Sequence, residues 1–251
     1  MNYLFLSSSF SQWIEKFKAD FVLNFIDDNR WKYILDGLLI TLRVTFFAVL
    51  IGILIGVVVA IIRSSYDKNY KEIKNPLIKF ILKILNILSK VYLTVIRGTP
   101  IVIQLLILYF VIMASSNDKV FVAIIAFGIN SGAYVAEIFR SGIMSIDSGQ
   151  MEAGRSLGFN YIQTMIYIIV PQAFKNVLPA LANEFIVLLK ETSVSGYIAL
   201  QDLTKGADII RGRTFSAFMP LIAAALIYLV LVMILTWLVG KLERRLRNNE
   251  R

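Results

Sequence analysis

Of the 251 residues, 57% are hydrophobic, more than the 45–50% or so expected of a soluble domain, so the chain reads as a polytopic membrane protein. The net charge of +9 does not point to nucleic acid, because Lys and Arg lie between apolar runs and not on an amphipathic face with stacking aromatics. Cysteine and histidine are absent, which excludes disulfides, thiolate sites, most zinc sites and Ser-His or Cys-His catalysis.

Residues 1–33 have no basic n-region ahead of their short apolar run, so no cleaved signal peptide is expected and the first span acts as its own insertion signal. Phe10, Trp13, Ile14, Phe17, Phe21 and Phe25 recur at helical spacing, with Glu15, Lys16, Lys18 and Asp20 on other faces. This predicts an amphipathic helix lying in the outer interface, with anchoring as its role. A transmembrane domain follows over 34–240, then a basic tail at 241–251 that anchors to anionic lipid on the inner surface.

Apolar windows long enough to cross the bilayer lie at about 35–62, 79–113, 120–143, 177–201 and 216–240. No Gly-x-x-x-x-Gly-Lys-Ser/Thr loop occurs: Gly52 and Gly56 stand one residue too close, lack the Lys and sit inside the first window, so the chain cannot hydrolyse ATP alone. The second window is over-long and contains Arg97-Gly98-Thr99-Pro100, which predicts one bent or broken helix and not two crossings. Backbone freed by a mid-membrane break is tolerated only against protein or a water-filled cavity. Such breaks line transport paths, and N–H groups of the segment beginning near Thr99 could hold an anionic carboxylate. A kink needed only for packing is the alternative.

In the third window Gly128, Ser131, Gly132 and Ala133 permit close helix approach. Glu137 lies in or near the span with Arg140 three residues on. It is a pathway carboxylate, a link to the following loop, or half of a structural ion pair. A polar stretch at about 147–176 comes next. Asp147 with Gln150 predicts a capping box, Gly158 a helix stop, and Asn160 with Gln163 the start of a second helix that Pro171 interrupts. In the fourth window Lys190 and Glu191 are opposite charges that neutralise one another, and Thr192 and Ser193 add polar contacts, as lining of a gate or as a pair near the membrane edge.

Five spans place the termini on opposite sides. With the C-terminus inside, inner segments carry fourteen Lys and Arg against nine on outer segments, and the 147–176 loop is cytoplasmic.

The wording Glu152-Ala153-Gly154, with Ser156, Leu157, Gly158 and the later Ile-Val-Pro171-Gln-Ala-Phe, resembles the EAA loop of ABC importer permeases in its polar amino-acid version. Arg97-Gly98-Thr99-Pro100 with Gln104 and Tyr109, Gly132-Ala133-Tyr134 with Glu137 and Arg140, and Leu-Leu-Lys190-Glu191-Thr192-Ser193 resemble further segments of the same family, in family order over about 35–205. The resemblance implies an all-α, type I importer permease (MetI-like) fold of about five transmembrane helices in a bacterial plasma membrane, N-terminus outside and C-terminus cytoplasmic. It also implies uptake of a polar amino acid or cystine, with no cofactor on this chain and ATP and Mg on a separate ATPase. The partners it implies are that ABC subunit, a solute-binding protein and a second permease chain, in a lipid bilayer and without nucleic acid.

In that family the Glu matching Glu152 pairs with basic ATPase residues, the Ala matching Ala153 packs closely, and the Gly matching Gly158 allows a sharp turn. Gly154 stands where the family has Ala, which should loosen the helix by up to about 1 kcal/mol and weaken coupling. The pathway or gate set is then Gly98, Thr99, Pro100, Gln104, Tyr134, Glu137, Lys190, Glu191, Thr192 and Ser193. Two other classes compete: an ATP-independent transporter or channel using Glu137 or Glu191, and a membrane enzyme limited to carboxylates and hydroxyls. The missing internal repeat and the docking loop weigh against the first, and the lack of a paired-acid spacing against the second.

Overall fold

The computed structural model describes residues 2–71 and 73–248; Met1, Glu72 and residues 249–251 of the basic tail lie outside the described residues. All regular structure among the described residues is helical. Helix α1 (Asn2–Phe21) leads through a wide turn at Val22–Ile26 into α2 (Trp31–Asn69), which is about 58 Å long at 1.5 Å per residue. Next come α3 (Pro76–Gly98), α4 (Ile101–Ile107) and α5 (Lys119–Met144). Local chemistry sets their starts: the Asn75 side chain accepts from Leu77 and Ile78 N–H ahead of α3, and Asp118 accepts from Phe121 N–H ahead of α5.

Small residues bring α2 and α5 into near backbone contact. A Cβ on Gly52 would lie 2.9 Å from Ser131 Cβ, one on Gly56 2.5 Å from Val135 Cγ1, and one on Gly128 2.8 Å from Ile51 Cγ2. As the residue numbers rise along α2 they rise along α5, so the two helices run parallel. Parallel neighbours require the chain to return once between them. The return is α3 with α4 and its wide-turn extension to Ile112, bent by 110° at the break. The over-long second window is therefore one broken span, and five spans result. Val44, Ala48, Leu105, Phe127 and Leu188 close the core around this seam.

A hairpin of short helices, α6 (Ser148–Ser156) and α7 (Tyr161–Thr164), joins α5 to α8 (Val170–Glu191). Pro171 does not interrupt the second helix. It falls in the first turn of α8, directly after a wide turn at Met165–Ile169 that already shifts the hydrogen-bond register, so its missing N–H breaks nothing. Beyond α8 a tight 3-10 segment, Thr192–Ile198, leads to α9 (Leu203–Thr214) and the long α10 (Phe218–Asn248). Leu226, Leu229, Val230 and Met233 of α10 are exposed, an apolar face suited to hydrocarbon.

The end of the bundle opposite the α6–α7 hairpin is locked by polar contacts. Gly206 meets the Tyr33 carbonyl so closely that a Cβ would lie 2.2 Å from its oxygen, and Leu203 N–H donates to Thr41 Oγ1 at 3.1 Å. The N-terminal segment, expected as a loose interfacial anchor, is also tied in. Fully buried Asn24 donates to Ser216 Oγ at 3.2 Å and accepts from Thr214 Oγ1 at 2.8 Å. Trp13, Phe17 and Phe21 of α1 remain exposed.

Asp202 caps α9, accepting from the N–H groups of Thr204 and Lys205 at 3.2 and 3.0 Å while only 1% exposed. Burial outweighs these bonds and raises its pKa to about 6 from 3.8. A carboxyl with a raised folded pKa binds more protons folded than unfolded between pH 4 and 6, so its contribution to stability falls as pH rises through that window and stays lower above it. The step is on the order of 2–3 kcal/mol. Asp202→Asn keeps a capping oxygen and removes the charge. In detergent, its melting temperature relative to the parent protein should rise from pH 4 to pH 7; a constant difference would refute the assignment.

Candidate functional site

Two features stand out, and the same two helices carry both. The first is the hairpin. Asp147 caps α6 by accepting from Gly149 N–H at 2.7 Å, but the reciprocal half of the expected capping box is not made. Gln150 instead accepts from Gln172 Nε2 at 3.4 Å, across the hairpin. The full box forms one turn later, where Asn160 and Gln163 exchange side-chain and backbone bonds, both at 2.9 Å. Between them Gly158 takes φ +87°, and Phe159 N–H closes onto the Gly154 carbonyl at 3.2 Å, ending α6.

Glu152 and Ala153 are exposed on this hairpin, as are Ser156, Leu157 and Gly158, whereas Gly154 is buried. The residue that packs closely is thus Gly154. A Cβ there would lie 2.5 Å from Thr164 Cγ2, and Thr164 is fixed by its own bond to the Asn160 carbonyl at 3.0 Å. The expectation that Gly154 loosens the element is corrected by this contact: glycine lets α6 lie against α7. Leu157, Ile162 and Tyr167, 76%, 66% and 68% exposed, add apolar surface to the same element as the exposed Glu152 and Arg155.

The second feature is a cleft of about 510 Å³ between α5 and α8, with Arg97 at its lip. Tyr134, Glu137 and Ser141 line it from α5, Ser145 from just beyond its end, and Asn176, Ala180 and Glu184 from α8. Glu137 binds Arg140 Nη2 at 2.6 Å and lies 3.7 Å from Arg97 Nη1. The Arg97 guanidinium sits 5.8 Å from the centre of the Tyr134 ring. Glu184, 9% exposed, accepts from Ser131 Oγ at 2.8 Å and pairs with no cation among the described residues. The cleft thus offers a guanidinium, two carboxylates and several hydroxyls on apolar walls.

Tyr134 and Glu137 enter the cleft as a group, and Arg97 joins them from the broken helix. Thr99 and Gln104 line a separate apolar recess of about 330 Å³ inside the bend, together with Ile103 and Ala126. At the break Gln104 takes the Ile96 and Thr99 carbonyls and Thr99 Oγ1 takes that of Val95, and the side chain that reaches the cleft from this segment is Arg97. Gly98 and Pro100 form the corner itself. The Lys190–Ser193 segment lies elsewhere. Lys190 and Glu191 form no ion pair, because adjacent helical residues do not face one another. Thr192 is buried and donates to the Leu189 carbonyl at 2.8 Å, and Ser193 lines a third pocket with Tyr197, Lys205 and Asp208 near the locked end.

Sequence reasoning missed Glu184 and its partner Ser131. A carboxylate inside an apolar window is a functional signal by default, and Glu184 stands within the fourth one. Its hydroxyl partner is 53 positions away and becomes visible only in the fold.

A family model described as binding-protein-dependent transport system inner membrane component matches residues 77–248. The arginine transport system permease protein ArtQ of Bacillus subtilis is 38% identical over 221 residues, covering 87% of this chain and 94% of that protein. The glutamine transport system permease protein GlnP of Escherichia coli is 39% identical over 169 residues, covering 65% of this chain and 77% of that protein. A crystal structure of an amino acid ABC transporter with histidines superposes with a TM-score of 0.77 at 40% identity, over 88% of this chain and 98% of that one. The MetNI methionine ABC transporter, inward-facing, shares the fold at TM-score 0.69 and 16% identity, over 88% of this chain and 98% of that one.

Replacing Gly154 by Ala should destabilise the hairpin even though Ala is the better helix former. The clash costs about 1–3 kcal/mol against a helix-propensity gain of up to about 1 kcal/mol. Limited proteolysis within 147–160 is the measurement: Gly154→Ala should be cut faster than the parent, and equal or slower cutting would contradict the packing argument.

Proposed function

This chain belongs to the family of binding-protein-dependent transport system inner membrane components, and from that premise we propose that it forms the path of an ATP-driven importer for a polar amino acid. One observation carries the reading: the α6–α7 hairpin is continuous with α5 and α8, the two helices whose facing sides line the cleft. A force applied at Glu152 reaches both walls without crossing a loose linker. Relatives named for arginine and glutamine, and a neighbour solved with histidines, support an amino acid as cargo.

In this reading a separate ATPase, holding ATP and Mg, docks on the exposed hairpin. Its basic residues meet Glu152, and Leu157, Ile162 and Tyr167 fill its apolar cleft. A solute-binding protein delivers the amino acid at the opposite, locked end, and a second permease chain completes the path. The excess of Lys and Arg on the hairpin side supports a cytoplasmic hairpin and C-terminus in a bacterial plasma membrane. Inside the cleft the amino acid is zwitterionic, and groups of both signs suit it: Arg97 for the carboxylate, Glu184 and Glu137 for cationic nitrogen. Buried charges of this kind bind best when the incoming group completes the pairing that the protein leaves open. Glu184, hydrogen-bonded but without a cation, is such a group. Docking and closure of the ATPase would tilt α5 and α8 together and expose the cleft alternately to either side.

Reconstitution in proteoliposomes with the ATPase and the solute-binding protein tests both halves. Glu152→Lys should insert and fold normally yet lose coupled uptake by about tenfold or more, since it reverses the docking charge. Normal coupled uptake in that variant, or uptake driven by a proton gradient without the ATPase, would refute the mechanism. Glu184→Gln keeps the Ser131 hydrogen bond and removes the charge. It should raise the KM for uptake by roughly tenfold, about 1.4 kcal/mol, while the ATPase still binds; an unchanged KM would remove Glu184 from the path.

A further inference from the structure

The chain turns through 110° between α3 and α4, inside a span where hydrocarbon cannot satisfy freed backbone groups. Two side chains meet that demand: Thr99 Oγ1 donates to the Val95 carbonyl at 2.8 Å, and Gln104 takes the carbonyls of Ile96 and Thr99. Gln104 points its amide nitrogen back across the corner at the carbonyls of Ile96 (2.8 Å) and Thr99 (3.0 Å) and at Thr99 Oγ1 (2.9 Å). Its amide oxygen accepts from Asn130 Nδ2 at 3.0 Å. Asn130 is 3% exposed and belongs to α5. The amide that holds the break is therefore itself held by the helix that leads into the α6–α7 hairpin.

Asn130, Tyr134 and Glu137 follow one another at i, i+4 and i+7 and form one stripe of α5. The whole stripe faces the broken helix: Asn130 meets Gln104, and Tyr134 and Glu137 meet Arg97. An apolar pair of the same volume could fill the space and let the helices slide. The amide pair cannot. A shift of α5 along its axis by two residues, about 3 Å, would stretch a 3.0 Å contact lying across that axis to about 4.2 Å, beyond hydrogen-bond range, and leave a buried amide unpaired.

We propose that the Gln104–Asn130 pair is the joint through which α5 carries the broken helix, and Arg97 with it, when the hairpin is moved. Gln104 and Asn130 are positioning residues; neither lines the cleft. The inference rests on the reading of the hairpin as the ATPase docking element. It extends that reading by naming the contact that turns movement of α5 into movement at the lip of the cleft.

Asn130→Ser tests it in the reconstituted transporter. Serine is too short to reach Gln104 and satisfies its own hydroxyl on the preceding helical turn. The variant should keep ATP hydrolysis stimulated by the solute-binding protein while uptake per ATP falls about tenfold or more, and the exchange pair Gln104→Asn with Asn130→Gln should restore uptake to within about threefold of the parent. Parent-like uptake per ATP in Asn130→Ser overturns the proposal. So does a parallel loss of uptake and hydrolysis that the exchange pair fails to rescue, which would assign the contact to packing alone. Asn130→Leu, which refills the volume without an amide, replaces the serine variant if that one does not accumulate; failure of both to fold also overturns the joint. Loss of stimulated hydrolysis in Glu152→Lys but not in Asn130→Ser separates docking from this later step.

Discussion

Everything in this bundle depends on how closely α2 and α5 lie side by side. Gly52, Gly56, Gly128 and Gly132 are placed on both helices so that each opposes a side chain or backbone of the other, and a methyl group at any of them would collide. Hydrocarbon offers no hydrophobic drive to bring helices together, so close packing of small residues is the interaction left to hold them. Because the two run parallel, the chain between them must recross the membrane, and it does so as the broken pair α3–α4. The recrossing thus follows from the seam, and the break within it from Gly98 and Pro100.

Polar groups are distributed with the same economy. At the end near α9, Asn24, Thr41 and Asp202 each satisfy backbone or hydroxyl groups that packing has removed from solvent: Asn24 fastens the N-terminal segment to the end of α9, and Thr41 fastens the start of α9 to α2. At the other end the hairpin leaves its charged and apolar surface exposed while its turn is bolted by Asn160, Gln163 and Thr164. The middle is where charges are left with room around them. Arg97, Glu137 and Glu184 converge on one cleft, and Glu184 has a hydroxyl for company but no cation. A fold closed at one end, stiff at the other and incompletely paired between them suits a path that opens by moving α5 and α8 together.

The sequence made the spans legible because apolar length is a local property. Arg97-Gly98-Thr99-Pro100 announced a break, since Gly is a weak helix former and a Pro two residues on removes a backbone donor and crowds the turn before it. The i, i+3 spacing of Glu137 and Arg140 announced their ion pair, found at 2.6 Å. Local capping logic also succeeded at Asn160. It failed at Asp147, where Gln150 had a competing partner, Gln172, reached only across the folded hairpin. Adjacent charges at Lys190 and Glu191 suggested a pair, but helical geometry turns neighbours to different faces.

Composition and order of residues by themselves determined that this chain spans a membrane about five times, carries a capped polar hairpin between its third and fourth spans, and has no catalytic machinery of the His or Cys type. These follow from hydropathy, turn chemistry and residue inventory, each of which acts over a few turns of chain. Tertiary structure decided what Gly154 is for, which helices run parallel, that Glu184 faces Ser131, and that Gln104 closes the corner while Asn130 holds Gln104. Each of those depends on a partner tens of residues away or on a neighbouring helix surface. No local pattern encodes such a partner; only the packed bundle brings it within reach.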